Sequence, residues 1–242
     1  MIRSTRRGIN DADRIGREQE AIVGQRSDKA QEALMDSAEE LFARHGIDAV
    51  SLRRITERAG TANHSAVTYH FGSRDGLVRA LINRHLESVA ERRAELVAAL
   101  GTDPEFHDVV ACRILPWVEQ LDSLPVPSWR ARFLAQVRQT PSLESVLATS
   151  PNDTGELDDL VTRMSQFSTG VSSEVLRARI GILSHLVFGA CAEYEAQRQD
   201  QTAKGSWLDV GYFLIDSIVG LLTAPQTRRG EYLLRFSTPP LL

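Results

Sequence analysis

Hydrophobic residues recur at intervals of three and four from residue 27 onward, which is the period of an amphipathic α-helix. The first such face runs from Ser27, a suitable N-cap, to Gly46, a suitable C-cap. Its apolar positions are Ala30, Ala33, Leu34, Ala38, Leu41 and Phe42. No segment alternates apolar and polar residues with the period of a β-strand, so the pattern predicts an all-α protein.

Two short helices and one long helix are predicted next. Ser51 is the expected N-cap of the first short helix, and Asn63 is the expected N-cap of the second, which ends near Phe71. The long helix starts after Ser73 and reaches about Leu100. Pro and Gly separate the remaining predicted helices, which cover 104–122, 128–139, 142–149, 154–167, 172–200 and 206–223.

The second short helix has a polar outer face. Val67 and Phe71 lie four residues apart and are expected to face inward, whereas Ser65, Thr68 and Tyr69 are expected to face outward. Three short helices whose last member presents polar side chains form a helix-turn-helix, in which that member enters the major groove of DNA. The pattern therefore predicts a DNA-binding domain over residues 27–75.

The side chains in and around these helices suit two kinds of DNA contact. A helix N-terminus with a hydroxyl and a guanidinium can hold a phosphate, and short polar side chains can reach base edges. The predicted DNA-binding residues are Ser51, Arg53, Asn63, His64, Ser65, Thr68, Tyr69, His70 and Arg74. Two alternatives stay open, because Asn63 could serve only as a cap and His70 could serve only to bond a neighbouring turn.

Residues 1–26 contain several arginines but no apolar period, so they are predicted to form a flexible basic arm. Such an arm could enter the minor groove beside the helix-turn-helix, or it could be a solvated tail. No apolar stretch follows the arginines as it would in a secretory signal. At the other end, residues 226–242 are predicted to form a C-terminal tail.

Composition restricts the class of protein further. The 242 residues are 42% hydrophobic and 25% charged, which is typical of a soluble globular chain. The net charge is −4, although the first 80 residues carry slightly more basic than acidic side chains. His185 and Asp216 interrupt the longest apolar stretches, so no membrane span is expected. Cys112 and Cys191 are far apart, which fits a protein of the reducing cytoplasm without a disulfide framework.

Motifs of enzymes are missing from the sequence. It contains no G-x-S-x-G, P-loop, G-x-G-x-x-G or H-E-x-x-H motif, and its six histidines do not have the spacing of metal ligands. We therefore expect no catalytic residue, no cofactor and no metal. A helical enzyme with an unrecognised site is kept as an alternative.

The segments "LFARHGIDAVSLRRITERAG" and "VTYHFGSRDGL" together resemble the N-terminal domain of the TetR family of transcriptional regulators. The resemblance covers about a quarter of the chain, residues 28–80. This sequence has one extra residue in the turn before Asn63, and Thr68 stands where the family usually has Tyr, with Tyr69 next to it. Either of these two side chains could make the phosphate contact.

The resemblance implies that residues 76–225 form a ligand-binding and dimerisation domain. In the family, the last two long helices meet their twofold mates in a four-helix bundle. Apolar positions of these helices give the expected dimer interface, which comprises Leu183, Leu186, Val187, Val210, Phe213, Leu214 and Ile218. The alternative is that these residues belong only to the core of one chain.

By the same resemblance, the middle helices are expected to surround a small-molecule effector. The expected lining residues are Phe106, Trp117, Trp129, Phe133, Met164 and Phe167, each of which could instead be core. The sequence thus predicts a ligand-responsive, homodimeric regulator, released from double-stranded palindromic operator DNA by an apolar or aromatic effector. A regulator controlled by a protein partner, without an effector, is the alternative.

Overall fold

The computed structural model describes residue 25 and residues 27–61, 63–143 and 171–226. Within these residues there are eight α-helices and no strand, which confirms the all-α prediction. The helices are α1 (27–45), α2 (Leu52–Arg58), α3 (Ala66–Phe71), α4 (Arg74–Ala99), α5 (Phe106–Asp122), α6 (Arg130–Gln139), α7 (Ser173–Gln199) and α8 (Trp207–Thr223). A 3-10 turn, Pro141–Leu143, follows α6.

Several predicted features lie outside the described residues. They are the arm before Gln25, the helix predicted at 154–167 with Met164 and Phe167, and the tail beyond Gln226. Of the helix predicted at 142–149, only residues 142 and 143 are described, and they belong to the 3-10 turn. The other helices agree with the prediction to within a few residues at each end.

Local capping explains where most of the first helices begin and end. Gly46 ends α1 with φ +84°, a backbone conformation that favours glycine. The hydroxyl of Ser51 accepts a hydrogen bond from the N–H of Arg54 (3.2 Å), and that of Ser73 accepts one from the N–H of Gly76 (3.0 Å). These predicted caps of α2 and α4 are therefore confirmed.

The start of α3 differs from the prediction. The side-chain oxygen of Asn63 accepts a hydrogen bond from the N–H of Ser65 at 2.9 Å, which closes an Asx turn ahead of the helix. The helix itself begins at Ala66, after Ser65. Asn63 is thus not the N-cap, because its side chain organises the preceding turn.

A close backbone approach fixes the angle between α3 and α4. A Cβ atom added at Gly76, in the first turn of α4, would lie 1.9 Å from the carbonyl oxygen of Phe71. No side chain fits at that distance, so glycine is required for α4 to begin so near the end of α3.

One apolar cluster extends from α1 to α8 and joins the helix-turn-helix to the rest of the chain. Within it, the ring of Phe42 on α1 stacks on that of Phe133 on α6, with centroids 6.2 Å apart. The first half of α4 packs against α3 and contacts α1 through Arg84 and His85, and its second half packs against α5. Both α4 and α6 therefore support the helix-turn-helix.

A buried carboxylate from α7 holds the beginning of α6. Glu195, which is 2% exposed, accepts hydrogen bonds from the Ser128 hydroxyl (2.8 Å) and from the backbone N–H groups of Ala131 (3.2 Å) and Arg132 (3.1 Å). The Arg132 guanidinium also donates to it through Nε at 3.1 Å. The carboxylate thereby accepts hydrogen bonds from N–H groups at the N-terminus of α6. Trp129, the residue at the N-cap position, makes no such side-chain hydrogen bond.

Among the described helices, α7 is long and apolar enough over Val175–Gln199 to cross a membrane by length and composition alone. Its apolar residues have partners in the molecule, because Leu176, Val187 and Phe188 are buried against α6 and α8. Ser184 and Glu195 are also buried on this helix. Its hydrophobicity is thus that of a core helix.

Candidate DNA-binding surface

The outward face of α3 consists of exposed polar and aromatic side chains. Ala66 and Val67 are buried, whereas Thr68 is exposed and Tyr69 is 79% exposed. Phe71 is half-buried against the core. The predicted phase of the helix is thereby confirmed, and Thr68 and Tyr69 are both presented to solvent.

The turn before α3 adds three exposed residues to this surface. Asn63, His64 and Ser65 are all exposed, and the hydroxyl of Ser65 makes no capping hydrogen bond to the helix. The oxygen of Asn63 is already used in the Asx turn, so that this side chain is held in place. His64 and Ser65 therefore extend the polar surface of α3 toward its N-terminus.

The N-terminus of α2 carries Ser51 and Arg53, both of which are exposed. The Arg53 guanidinium pairs with Glu57 one turn later, with Nε 2.8 Å from Oε1. That hydrogen bond and the charge of Glu57 raise the pKa of Arg53, so the guanidinium is always protonated. Because the pair is solvated, its attraction is weak and Arg53 can exchange Glu57 for a phosphate.

Arg74 has a different role from the other predicted contacts. It is half-buried, and its guanidinium donates hydrogen bonds to the carbonyl oxygens of Val50 (2.6 Å), Ile47 (3.1 Å) and Asp48 (3.5 Å). These bonds hold the α1–α2 connection against the first turn of α4. The N–H groups of Arg74 that could contact a phosphate are therefore bonded within the protein, where they position the helix-turn-helix.

His70 is half-buried beside the exposed face of α3. The Tyr69 ring meets the His70 ring edge to face, with centroids 5.0 Å apart and an interplanar angle of 85°. The His70 ring in turn lies 6.1 Å from that of Phe71. This contact supports one side of the Tyr69 ring and restricts its orientation on the surface.

A buried charged cluster connects α1 to α4 and α6. Glu39 on α1 is 7% exposed and forms an ion pair with Arg84, and its Oε1 lies 3.3 Å from Nε2 of His85. Nε of Arg130 on α6 lies 3.8 Å from the same oxygen, and Arg84 also contacts the exposed Asp36 at 2.7 Å. One carboxylate of the DNA-binding end is therefore held by both supporting helices.

Sequence reasoning missed this cluster, although a signal was present. Glu39 lies four residues after Met35 and three before Phe42, on the apolar face of α1, and His85 lies four after Leu81 on that of α4. Charged residues at core positions indicate buried pairs.

The environment shifts the pKa of both partners. Burial raises the pKa of Glu39, but the hydrogen bond and positive charges of its partners outweigh burial and set it below its ordinary value of 4.5. Burial lowers the pKa of His85 below its ordinary value of 6.5 and, together with the smaller effect of the charges on Arg130 and Arg84, outweighs the hydrogen bond and charge of Glu39, which raise the pKa. At neutral pH the cluster therefore contains a carboxylate and a neutral imidazole.

Acidification is expected to destabilise the fold through His85. In the unfolded chain the imidazole of His85 is protonated near pH 6.5, whereas in the folded protein it is protonated only at a lower pH. The stabilisation that the neutral imidazole contributes is therefore complete above about pH 6.5 and is lost as the pH falls below it. The slope is at most about 1.4 kcal/mol per pH unit. Urea denaturation at pH 7 and pH 5.5 should show a smaller loss for His85→Gln than for the unaltered protein.

The control for this pH effect is His107→Gln, because His107 is 55% exposed in its side chain and should retain the slope of the unaltered protein. Equal slopes for His85→Gln and the unaltered protein would contradict the assignment. Protonation of Glu39 is also expected to lower the free energy of unfolding, but only as the pH falls below about 4.5.

A small cavity lies in the larger domain next to this cluster. It is lined by Ile82, His85, Leu86, Val89, Arg93, Trp117, Leu134 and Phe188. Its free space is about 10 Å³, enough for about one water molecule. Four helices, α4 to α7, contribute to its wall.

The structure separates the aromatic residues that were expected to line one pocket. Trp117 lines the cavity, whereas Phe106 and Phe133 are buried in the apolar core. Trp129 lies at the surface between the guanidinium groups of Arg44 (5.3 Å) and Arg132 (4.2 Å). The role of these four residues in binding an effector stays a prediction.

The residues of the expected dimer interface also divide into two groups. Leu183, Val187, Leu214 and Ile218 are buried within one chain, so they offer little area to a second copy. Val210 is half-buried. Leu186 (37%) on α7 and Phe213 (65%) on α8 are exposed, and so are Leu208 (45%) and Tyr212 (54%) on α8. The sequence did not single out these last two.

Comparisons with known proteins agree with the fold and with the DNA-binding end. The profile of "Bacterial regulatory proteins, tetR family" matches residues 34–81, from within α1 to the first half of α4. A crystal structure of a tetR family transcription regulator from Shewanella sp. PV-4 has the same fold, with a TM-score of 0.52 and 16% identity, over 80% of this chain and 95% of that one.

Curated relatives extend the similarity beyond the first domain. The HTH-type transcriptional repressor AcnR of Corynebacterium glutamicum is 27% identical over 181 residues, which span 71% of this chain and 89% of the relative. The AcnR of Corynebacterium efficiens is 28% identical over 97 residues, 38% of this chain and 51% of the relative. With the helix-turn-helix and its outward-facing α3, the matched profile and these similarities support a transcriptional regulator of the TetR family.

Proposed function

We propose that this chain is a cytoplasmic repressor that binds an inverted-repeat operator as a homodimer and leaves it when a small apolar molecule binds the larger domain. The observation that carries the proposal is the exposed face of α3, where Thr68 and Tyr69 project from a rigidly packed helix. A related chain from Corynebacterium glutamicum is named a repressor. Regulators of this family are DNA-binding transcription factors, so an enzymatic activity is not part of the proposal.

In the proposed complex, α3 lies in the major groove and α2 rests on the backbone of the DNA. His64 and Ser65 at the start of the helix face base edges, and of Thr68 and Tyr69 one reaches a phosphate while the other faces the bases. Ser51 and Arg53 hold a second phosphate at the N-terminus of α2. Arg74 contributes indirectly, by fixing the α1–α2 connection.

A second copy of the chain would cover the exposed face formed by α7 and α8. Large apolar side chains are exposed there, among them Leu186, Tyr212 and Phe213. Gly189 and Gly220 lie within the same two helices, although no atom comes within 4 Å of a Cβ placed on either. Since glycine inside a helix costs about 1 kcal/mol relative to alanine, a close approach by partner helices explains both positions.

Phe213→Asp is expected to split the homodimer, because it would place a charge in an apolar interface. Sedimentation velocity should show a monomer for this variant and a dimer for the unaltered protein. The matched control is Val97→Asp, since Val97 is 45% exposed on α4, away from α7 and α8. A dimer that survives Phe213→Asp, or a monomeric unaltered protein, would contradict this interface.

Release from DNA would be a population shift. An effector bound between α4 and α7 favours an arrangement of these helices in which the two α3 helices of the dimer no longer match successive major grooves. The supporting observation is that α4 contributes both to the cavity wall and, through Arg84 and His85, to the contacts with α1.

Selection of bound duplexes from a random DNA library tests the function directly. The proposal predicts an inverted repeat with half-sites about one helical turn apart. Compounds that raise the melting temperature of the protein should then be assayed for release of the selected DNA. Enrichment of no sequence would contradict operator binding, and stabilising compounds that never release DNA would favour control by a protein partner.

A further inference from the structure

Within the part of the chain that the structure describes, His85 alone both lines the cavity and lies against Glu39. It is 1% exposed, and neither of its ring nitrogens has a hydrogen-bond partner within the described part of the chain, although Nε2 lies 3.3 Å from Oε1 of Glu39. A buried polar atom without a partner destabilises the fold. A group that enters the cavity and bonds to His85 would remove this destabilisation.

The chemistry of that group follows from the position of Glu39. Its carboxylate oxygen is 3.3 Å from Nε2, which favours the tautomer with the proton on Nε2. In a neutral imidazole the other nitrogen then carries a lone pair. Nδ1 is thus a hydrogen-bond acceptor, and its partner has to be a donor.

The other cavity residues define the body of the occupant. Apart from His85 and Arg93, the wall is apolar and includes Trp117 and Phe188, whose rings meet edge to face with centroids 5.7 Å apart. Free space of about 10 Å³ does not admit a ring, so the helices have to separate on binding. Such a site suits a compact apolar or aromatic molecule with one polar group.

We propose that this cavity is the effector site, and that it binds an apolar or aromatic molecule whose hydroxyl or N–H donates a hydrogen bond to Nδ1 of His85. This inference rests on the proposed ligand-responsive function and specifies its ligand class. A molecule of the same shape without a donor leaves Nδ1 unsatisfied. A carboxylate presents only acceptors to the lone pair of Nδ1.

The same geometry connects the cavity to α1. The cavity is bounded by α4 through His85 and by α6 through Leu134, and Glu39 is held by these two helices, through Arg84 and His85 on one and Arg130 on the other. Separating α4 from α6 to admit a ring therefore cannot preserve every contact of Glu39. Opening of the cavity therefore changes the contacts of Glu39, and through them the position of α1 in the helix-turn-helix.

The ligand class can be tested with phenol, toluene and benzoate, which share a ring and differ in the group attached to it. Calorimetric titration of the full-length protein should show phenol binding about tenfold more tightly than toluene or benzoate, as expected for one hydrogen bond to a buried acceptor. His85→Gln should abolish this preference, because the amide can still donate to Glu39 but does not reproduce Nδ1. Equal binding of phenol and toluene, preferential binding of benzoate, or no binding of phenol would overturn the proposal.

Imidazole ¹⁵N spectra of the unaltered protein provide a readout that does not depend on a variant folding. The proposal predicts a neutral Nε2–H tautomer of His85 before addition of phenol and a shift of its Nδ1 resonance at saturation. An unshifted Nδ1 resonance would overturn it.

The coupling is tested by DNA affinity with and without phenol. Phenol should weaken binding of the selected DNA to the unaltered protein, and Glu39→Gln should still bind phenol but lose most of this effect. If other compounds release the DNA while phenol does not bind at His85, the ligand class is wrong and the proposed function stands. If phenol binds at His85 and no compound releases the DNA, the ligand-responsive function itself is wrong.

Discussion

Replacement of Glu39 by Ala is expected to lower the free energy of unfolding by about 3–5 kcal/mol, because it leaves buried partners without their carboxylate. Arg130 and His85 are 8% and 1% exposed, so water does not replace the lost interactions. Urea denaturation at pH 7 measures the loss. The same variant should also bind operator DNA more weakly, since α1 loses its attachment to α4 and α6.

Asp36→Ala is the matched control for this prediction. Asp36 contacts the same guanidinium as Glu39, that of Arg84, at 2.7 Å, but its side chain is 71% exposed. Replacement of Asp36 should lower the free energy of unfolding by less than about 1 kcal/mol. Similar losses for the two variants would show that the buried cluster does not support the fold as described.

Replacement of Thr68 or Tyr69 by Ala is expected to weaken operator binding by about 1–3 kcal/mol per site, while leaving the fold intact. Both side chains are exposed, so neither supports the core. Fluorescence anisotropy with the selected DNA measures the affinity, and unchanged urea midpoints confirm the fold. The two variants also show which side chain reaches a phosphate, because that loss should be nearly uniform across sequences and should lower the salt dependence.

Thr202→Ala is a suitable control, since Thr202 is an exposed threonine in the connection between α7 and α8. It should bind DNA like the unaltered protein. Unchanged affinity in both α3 variants would mean that another surface contacts the DNA.

The order and type of the described helices could be predicted from the sequence because apolar period and capping residues agree. Gly46, Ser51 and Ser73 each mark a boundary that the structure confirms, whereas Gln25 is already helical, so Ser27 is not the N-cap that the sequence predicted. Asn63 was misassigned because Asn favours both N-caps and Asx turns, and only the backbone after it distinguishes the two.

Periodicity shows that a helix face is covered but not which surface covers it. Leu183, Val187, Leu214 and Ile218 lie on apolar faces, as predicted, and the structure shows that their own chain covers them. Trp129 illustrates the same limit in another way, since an aromatic residue can be covered by the guanidinium groups of Arg44 and Arg132 instead of a core. The division of the chain at residue 75 and the DNA-contacting residues stay predictions.

Methylation protection of guanine N7 on the selected DNA is the most direct test of the proposal that two α3 helices read successive major grooves. N7 is exposed in the major groove, so its protection reports what lies there. The proposal predicts two protected clusters, centred about 10 base pairs apart, which disappear together in Phe213→Asp and weaken in Tyr69→Ala. A single protected cluster, or strong binding without protection of N7, would contradict a dimer that reads the major groove through α3.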